Sequence, residues 1–197
     1  MSSFHIDESG RGFSFLKDEP LGMNFVGDNS CNDLLNAEEI INKYSGEKLA
    51  EIFREYGGER FARSMVRRIV EARKIMPIKT TKELIGVIKS AVPSKYRHNR
   101  IHFATRIFQA LRIEVNREME NLKSVLPQAF DVLSSGGRLA VISFHSLEDK
   151  QVKYFFREKK LKGEVNILTK KPIKPSFEEV KNNHRARSAK IRVAIKI

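Results

Sequence analysis

The stretch from Gly136 to Asp149 reads GGRLAVISFHSLED and constrains the fold more than any other part of the sequence. Its glycine pair ends one element, and the β-branched apolar run predicts a buried strand over Arg138–Phe144, followed by a helix. In open α/β sheets, ligands bind beyond the carboxyl ends of the strands. The polar residues Ser143, His145 and Ser146 therefore lie where a functional loop is expected.

The same polar residues also have a purely structural explanation. Ser146 and Asp149 have the spacing of a capping box, in which either side chain satisfies a free backbone N–H at the start of the following helix. Catalysis and helix capping are thus two interpretations that the residues alone leave open.

Positive charge is concentrated at one end of the chain. The 197 residues include 37 Lys and Arg against 24 Asp and Glu, which gives a formal net charge of +13. From residue 150 onwards we count 15 Lys and Arg against four Glu, a net charge of +11. This bias favours a polyanionic partner, and a nucleic-acid footprint explains it better than a uniformly solvated surface does.

Membrane and disulfide-rich classes of protein are disfavoured. No apolar run approaches the ~20 residues of a membrane span, and the N-terminus lacks the apolar region of a signal peptide. We therefore expect a cytoplasmic protein with no membrane partner. The single cysteine, Cys31, excludes an intramolecular disulfide and a zinc site built from several cysteines.

Four helices are predicted in the middle of the chain, between residues 34 and 102. Each carries an amphipathic stripe of apolar residues, and its ends are marked by polar capping residues or by glycine and proline. The capping and stop residues are Asn36, Ser45, Gly57, Gly58, Pro77, Thr80, Glu83 and Pro93.

The next part of the chain begins with a basic loop. Residues 94–102 read SKYRHNRIH, which is either a solvated connection or a loop that follows phosphates and stacks Tyr96 on a base.

A long helix is predicted over Ala104–Lys123, and Pro127 should begin another, short one. After the central strand and helix, two extended segments are predicted, Val165–Ile173 and Ala189–Ile197. The last alternates polar and apolar residues, which indicates a half-buried strand.

Five stretches, in this order, match one known family. They are Gly10–Phe15, Tyr56–Arg63, Ala104–Ile113, Gly136–Asp149 and Arg185–Lys190. Together they resemble the bacterial S-adenosylmethionine-dependent methyltransferases of the MraW type, which methylate N4 of a cytosine in the decoding region of 16S ribosomal RNA. A match of several separate motifs across nearly the whole chain is far more specific than one short motif.

The resemblance implies an α/β fold. The chain would supply the C-terminal part of a class I S-adenosylmethionine-dependent methyltransferase (Rossmann-like) sheet, with an inserted all-α domain. Residues 1–33 and 103–197 would form a partial methyltransferase domain, and residues 34–102 a helical substrate-recognition domain. The implied partner is 16S rRNA in the small ribosomal subunit; the alternative is an RNA-binding module without catalysis.

The resemblance also implies that the cofactor-binding half lies outside this sequence. Family members begin with a strand, a glycine-rich turn and an acidic residue that hold the cofactor, and the sequence contains none of these. A start codon missed upstream or a genuine truncation would explain this. Such a chain is expected to be inactive alone and to self-associate through an exposed sheet edge.

Few site residues follow from the resemblance. His5 stands where the family has a cofactor-contacting glutamine, and Ser3, Asp7 and His145 are candidates for accepting the N4 proton. The reaction implied needs S-adenosylmethionine and no metal. The stretch Leu21–Phe25 lacks an acid and an arginine that the family has. The candidates for contacts with RNA phosphates are Arg97, Arg100, Arg106, Lys170, Lys171, Arg185, Arg187 and Lys190.

We predict that the 197-residue chain binds S-adenosylmethionine weakly or not at all, because the glycine-rich turn of the family is not in its sequence. Isothermal titration calorimetry measures this directly. Tight, stoichiometric binding would contradict the expectation.

Overall fold

The computed structural model describes residues 10–26, 35–98 and 101–197. The chain combines helices with a small antiparallel sheet, and it divides into two compact units, Met1–Glu118 and Met119–Ile197. The predicted division of the chain at residues 34 and 102 stays a prediction.

The first unit is mostly helical from residue 37 onwards. Two of the predicted N-caps are confirmed by direct hydrogen bonds: Asn36 Oδ1 accepts from the N–H of Glu39 at 2.8 Å, and Ser45 Oγ accepts from that of Lys48 at 3.2 Å. The predicted capping box of Thr80 and Glu83 is also present. The helices are α1 (Ala37–Lys43), α2 (Gly46–Glu55), α3 (Ala62–Ile75), α4 (Thr81–Ser90), α5 (Ser94–Arg97) and α6 (Thr105–Val115).

The segment before α1 belongs to the core of this unit. Leu21 and Met23 are fully buried in the same apolar cluster as the helices. The backbone N–H of Leu21 donates to the carbonyl of Lys79 at 2.9 Å, and that of Ala37 donates to the carbonyl of Gly22 at 3.0 Å. Residues 20–23 therefore stabilise the helical unit.

Residues 94–102 were predicted to be a loop in which Tyr96 could stack on a base, but residues 94–97 form helix α5. Its Tyr96 is only 9% exposed, and its hydroxyl donates to the Glu59 carboxylate at 2.7 Å. Burial and this hydrogen bond raise the pKa of the Tyr96 hydroxyl. Tyr96 is thus a core residue and is not available to stack on a base.

The long helix predicted over residues 104–123 is in fact two helices. Helix α6 ends at Val115, and α7 spans Glu118–Asp131. Between them Arg117 has a left-handed backbone (φ +47°), and the Asn116 side chain donates to the carbonyl of Met23 at 2.7 Å. This tertiary contact ends α6.

Pro127 does not begin a helix, as the sequence predicts, but lies inside α7. There it removes one intrahelical hydrogen bond. Helix α7 has already begun at Glu118, whose carboxylate binds the Arg112 guanidinium at 2.6 Å.

The second unit, from Met119 onwards, is built on three strands. Strand β1 (Arg138–Ser143) leads to helix α8 (Ser146–Leu161) and strand β2 (Val165–Ile167). Helix α9 (Phe177–Asn182) and a 3₁₀ helix (His184–Ser188) precede strand β3 (Lys190–Lys196). The order is β1-β3-β2, with β3 antiparallel to both neighbours.

The two faces of this sheet differ. Leu139 and Val141 of β1 pack against the cluster that contains Val152 and Phe156 of α8. On the opposite face Ile142 is 57% exposed. Strand β3 alternates as predicted, but its two buried residues are Arg192 and Ala194, which pair with Val141 and Leu139 on the covered face.

Burial of Arg192 is balanced by Asp149 in the first turns of α8. The Arg192 guanidinium donates to both carboxylate oxygens, Nε to Oδ1 at 2.7 Å and Nη2 to Oδ2 at 3.3 Å. Lys190 Nζ lies 3.6 Å from Oδ2. The hydrogen bond from Arg192 is the largest cause that holds the pKa of the Asp149 carboxyl below its ordinary value.

We predict that Asp149→Asn lowers the free energy of unfolding at neutral pH by about 2 kcal/mol, the scale of a charge-assisted hydrogen bond. Because the folded state lowers the pKa of Asp149, it binds fewer protons than the unfolded state at acidic pH. The contribution of Asp149 is therefore complete above the ordinary pKa of about 4 and is lost as the pH falls below it.

Urea denaturation of the wild type and Asp149→Asn across this pH range measures the difference, which should shrink below pH about 4. The exposed Asp131→Asn is the matched control. A stability difference that is independent of pH would contradict the role given to the Asp149 carboxylate.

Candidate nucleic-acid interface

The loop after β1 is organised by His145 rather than by Ser146. The backbone of His145 is extended (φ −133°, ψ 167°), and its Nδ1 accepts a hydrogen bond from the N–H of Glu148 at 3.4 Å. The Glu148 carboxylate accepts from the N–H groups of Phe144 and His145 at 2.8 and 3.2 Å. The predicted capping pair of Ser146 and Asp149 is therefore wrong by one residue, which leaves Asp149 for Arg192.

Ser143 is the other polar residue at the carboxyl end of β1. It is 1% exposed, and its hydroxyl has no hydrogen-bond partner among the residues that the structure describes. An unsatisfied buried hydroxyl costs about 1–3 kcal/mol, so a group bound here would relieve that cost. The adjacent Phe144 is 54% exposed and gives this strand end an apolar surface.

Five of the predicted phosphate contacts lie near the start of β3. Lys170 and Lys171 are exposed in the segment after β2. That segment is joined to β3 by a bridge between Ile173 and Ile191, whose N–H groups donate to each other's carbonyls at 3.0 and 2.9 Å. The others are Arg185 and Arg187 in the 3₁₀ helix and Lys190 at the first position of β3.

These cations are not equivalent. Lys190 is partly buried against the Asp149 carboxylate, which neutralises part of its charge. The Arg187 guanidinium contacts Nε2 of His184. Lys170 and Lys171 are exposed and have no ion-pair partner among the described residues, so no carboxylate there neutralises them.

In the first unit, two predicted arginines are anchored to backbone carbonyls. Arg97 donates through Nε and Nη2 to the carbonyl of Val92 at 3.2 and 3.0 Å, and Arg106 Nη1 donates to that of Gly58 at 3.1 Å. The neighbouring Gly57 permits this close approach, since a Cβ there would lie 2.6 Å from the Arg106 carbonyl oxygen. These hydrogen bonds restrict the freedom of both side chains.

Arg60 is a cation that the sequence analysis missed. Its guanidinium carbon lies 4.8 Å from the ring centroids of both Phe61 and Tyr96. The buried Glu59 supports this arrangement, because its Oε1 accepts from the N–H of Phe61 at 2.8 Å while its Oε2 binds Tyr96. Phe61 directly follows Arg60, but Tyr96 lies 37 residues after Glu59, so the sequence gives no local signal for this arrangement.

Four predicted site residues lie outside the described residues. They are Ser3, His5, Asp7 and Arg100, and their roles stay predictions. No helix in residues 10–26, 35–98 and 101–197 has the length and hydrophobicity to cross a membrane.

The structure thus defines a mixed helix and sheet chain with exposed cations on both units and a capped helix after its first strand. The model of the MraW methylase family matches all of residues 1–197, and the chain belongs to this family.

Similar proteins carry one name. The chain is 49% identical over 199 residues to a ribosomal RNA small subunit methyltransferase H of Thermosipho melanesiensis, covering 100% of this chain and 64% of that protein. It is 49% identical over 197 residues to the Nostoc punctiforme protein of that name, covering 100% of this chain and 63% of the relative. A Cyanothece relative is 51% identical over 194 residues, with 98% and 62% covered. The chain spans less than two thirds of the length of these relatives.

We predict that His145→Ala lowers the free energy of unfolding by about 1 kcal/mol, because it removes the N-cap acceptor of α8. His145→Asn should be close to the wild type, since asparagine is among the best N-cap residues. Urea denaturation followed by circular dichroism measures both. Equal destabilisation by the two substitutions would show that capping is not the main structural role of this imidazole.

Proposed function

We propose that this chain forms part of an S-adenosylmethionine-dependent methyltransferase that methylates N4 of a cytosine in the decoding region of 16S rRNA. The observation that carries the proposal is the family match over residues 1–197. The names of the relatives support methylation of small-subunit ribosomal RNA. Such a protein works on the small ribosomal subunit in the cytoplasm.

The sheet supports a Rossmann-like class I fold for the second unit. Strands β1 and β2 are parallel to each other, because each is antiparallel to β3, and α8 connects them. A strand, a helix and a parallel strand in succession form the repeating unit of α/β sheets. The edge of β1 away from β3 has no partner strand among the described residues, so it is where further strands or a second copy of the chain would pair.

In this proposal residues 34–102 form the inserted helical domain that recognises substrate. Residues 1–33 and 103–197 form the partial methyltransferase domain. The described segment 10–26 packs on the helices through Leu21 and Met23, so its contacts are with the helical domain. By its place in the order of the family motifs, it is assigned to the partial methyltransferase domain.

The cofactor supplies the methyl group when it is bound, and its place in this fold class is beyond the carboxyl ends of the strands. The residues at that end of β1 fit a lining role. Ser143 offers a buried hydroxyl without a partner among the described residues, and Phe144 offers an exposed ring. A role for His5 in holding the cofactor is part of the same proposal.

The protein must also hold the cytosine so that an acceptor binds an N4 proton and the nitrogen lone pair points at the methyl group. The candidates are Ser3, Asp7 and His145. Of these, His145 already uses Nδ1 to accept from the backbone of Glu148, which reduces its freedom to bind substrate. The exposed cations of both units would hold the RNA backbone.

The proposal is tested by joining this chain to the part of the Thermosipho melanesiensis relative that it does not match. The chimera should transfer tritiated methyl groups from S-adenosylmethionine to 30S subunits that lack the modification, with mass spectrometry locating the methyl group on a cytosine N4. The 197-residue chain alone and 50S subunits are the controls. Binding of RNA by the chimera without methyl transfer would instead favour a non-catalytic RNA-binding module.

A further inference from the structure

A cavity of about 260 Å³ opens in the second unit beside helix α8 and strand β2, and we call it the α8–β2 cavity. Helix α8 forms one wall, and β2, the segment after it and β3 form the other. The lining residues are Lys153, Phe156, Arg157 and Lys160 from α8, Ile167 from β2, Thr169 and Lys170 from the following segment, and Arg192 from β3.

The lining of the cavity is strongly basic. Five of its eight residues are Lys or Arg, and none is Asp or Glu. The carboxylates nearby along the chain are occupied elsewhere: Glu158 binds Lys162 at 2.7 Å, and Glu164 binds Lys159 at 2.6 Å. The cations of α8 that line the cavity, Lys153, Arg157 and Lys160, are therefore not neutralised by these carboxylates.

Three of these cations share one face of α8 because of their spacing. Lys153, Arg157 and Lys160 follow each other at i, i+4 and i+7, which places them on one side of a helix. All three are exposed, and none has an ion-pair partner among the described residues. Like charges at this spacing repel each other, so a bound anion would stabilise the group.

The opposite wall is held by hydrogen bonds to β3. The hydroxyl of Thr169 accepts from the N–H of Val193 at 2.8 Å, and the N–H of Leu168 donates to the Val193 carbonyl at 3.0 Å. These bonds fix the segment that carries Lys170. Arg192 is held from behind by Asp149 at 2.7 Å, so its position does not depend on a ligand.

We propose that the α8–β2 cavity binds one or two consecutive phosphodiester groups of an RNA strand, an inference that rests on the proposed function of this protein. A site lined by ammonium and guanidinium groups supplies donors and positive charge, which phosphate oxygens need. It has no exposed aromatic ring for stacking, since its Phe156 is 2% exposed. It therefore contributes affinity and orientation, and no reading of base sequence.

The test compares two triple variants of the full chain that each lose two lysines and one arginine. The cavity variant is Lys153→Gln, Arg157→Gln, Lys160→Gln. The control variant is Lys123→Gln, Arg138→Gln, Lys150→Gln, exposed residues of the same unit that do not line the cavity. Thermal unfolding checks that both fold like the wild type.

Fluorescence anisotropy of a labelled single-stranded RNA with the decoding-region sequence gives the binding constant over a series of KCl concentrations. For the cavity variant, the slope of log K against log[KCl] should become shallower by about 0.7 for each phosphate group that the variant no longer neutralises. The control variant should keep a slope close to that of the wild type.

Equal slopes for the cavity and control variants overturn the cavity proposal and leave the proposed function standing. A wild-type chain that does not bind the RNA also overturns the cavity proposal, whereas the proposed function is decided separately by methyl transfer in the chimera. As a second measurement, the RNA should shift the backbone amide NMR signals of Thr169 and Lys170 in the wild type. Shifts elsewhere in the second unit, with these two unchanged, also overturn the cavity proposal.

Discussion

The second unit depends on the ion pair between the Asp149 carboxylate and the Arg192 guanidinium. Asp149 lies four residues after the N-cap His145 and binds Arg192 of the last strand at 2.7 Å. Because Arg192 faces the side of the sheet that α8 covers, its charge requires an acid at this point of the helix. The pair therefore links strand β3 to the side of α8 that faces the sheet, which also carries Val152 and Phe156. Residues 153 and 157 follow Asp149 at intervals of four, so Lys153 and Arg157 lie on the same side of α8 as Asp149 and line the α8–β2 cavity.

Local signals in the sequence predicted the fold where local interactions decide it. The caps at Asn36, Ser45 and Thr80 are side-chain bonds to backbone within three residues, so sequence alone finds them. The prediction failed where a residue distant in sequence determines the end of a helix or the burial of a side chain. Asn116 ends α6 by bonding to Met23, which lies 93 residues earlier. Tyr96 is buried in the apolar cluster of the first unit, where its hydroxyl binds Glu59, and no pattern within residues 94–102 contains that acid.

The candidate site was predicted in its general location and less well in its details. The surplus of Lys and Arg after residue 150 indicated which end of the chain is basic, but charge counts do not tell a free cation from a paired one. Lys190 proves to be held by Asp149, whereas Lys153 and Lys160, which the sequence analysis did not select, line a cavity without carboxylates. Their helical spacing was visible in the sequence. The opposite wall of the cavity is formed by Thr169 and β3. Only folding brings these residues next to α8.

Under the proposed function, the residues that bind RNA phosphates differ from those that select and react with a base. Lysines and arginines that contact phosphates hold any RNA strand equally well, so they cannot select one cytosine. Selection and proton transfer need groups that are free to meet a base. At the carboxyl end of β1, His145 and Glu148 bond to each other's backbone and are engaged in starting α8. Under the proposed function, the group that accepts the N4 proton would therefore be better sought among residues outside this capping box. The same strand end carries the buried Ser143 hydroxyl, which has no hydrogen-bond partner among the described residues, and the exposed Phe144 ring.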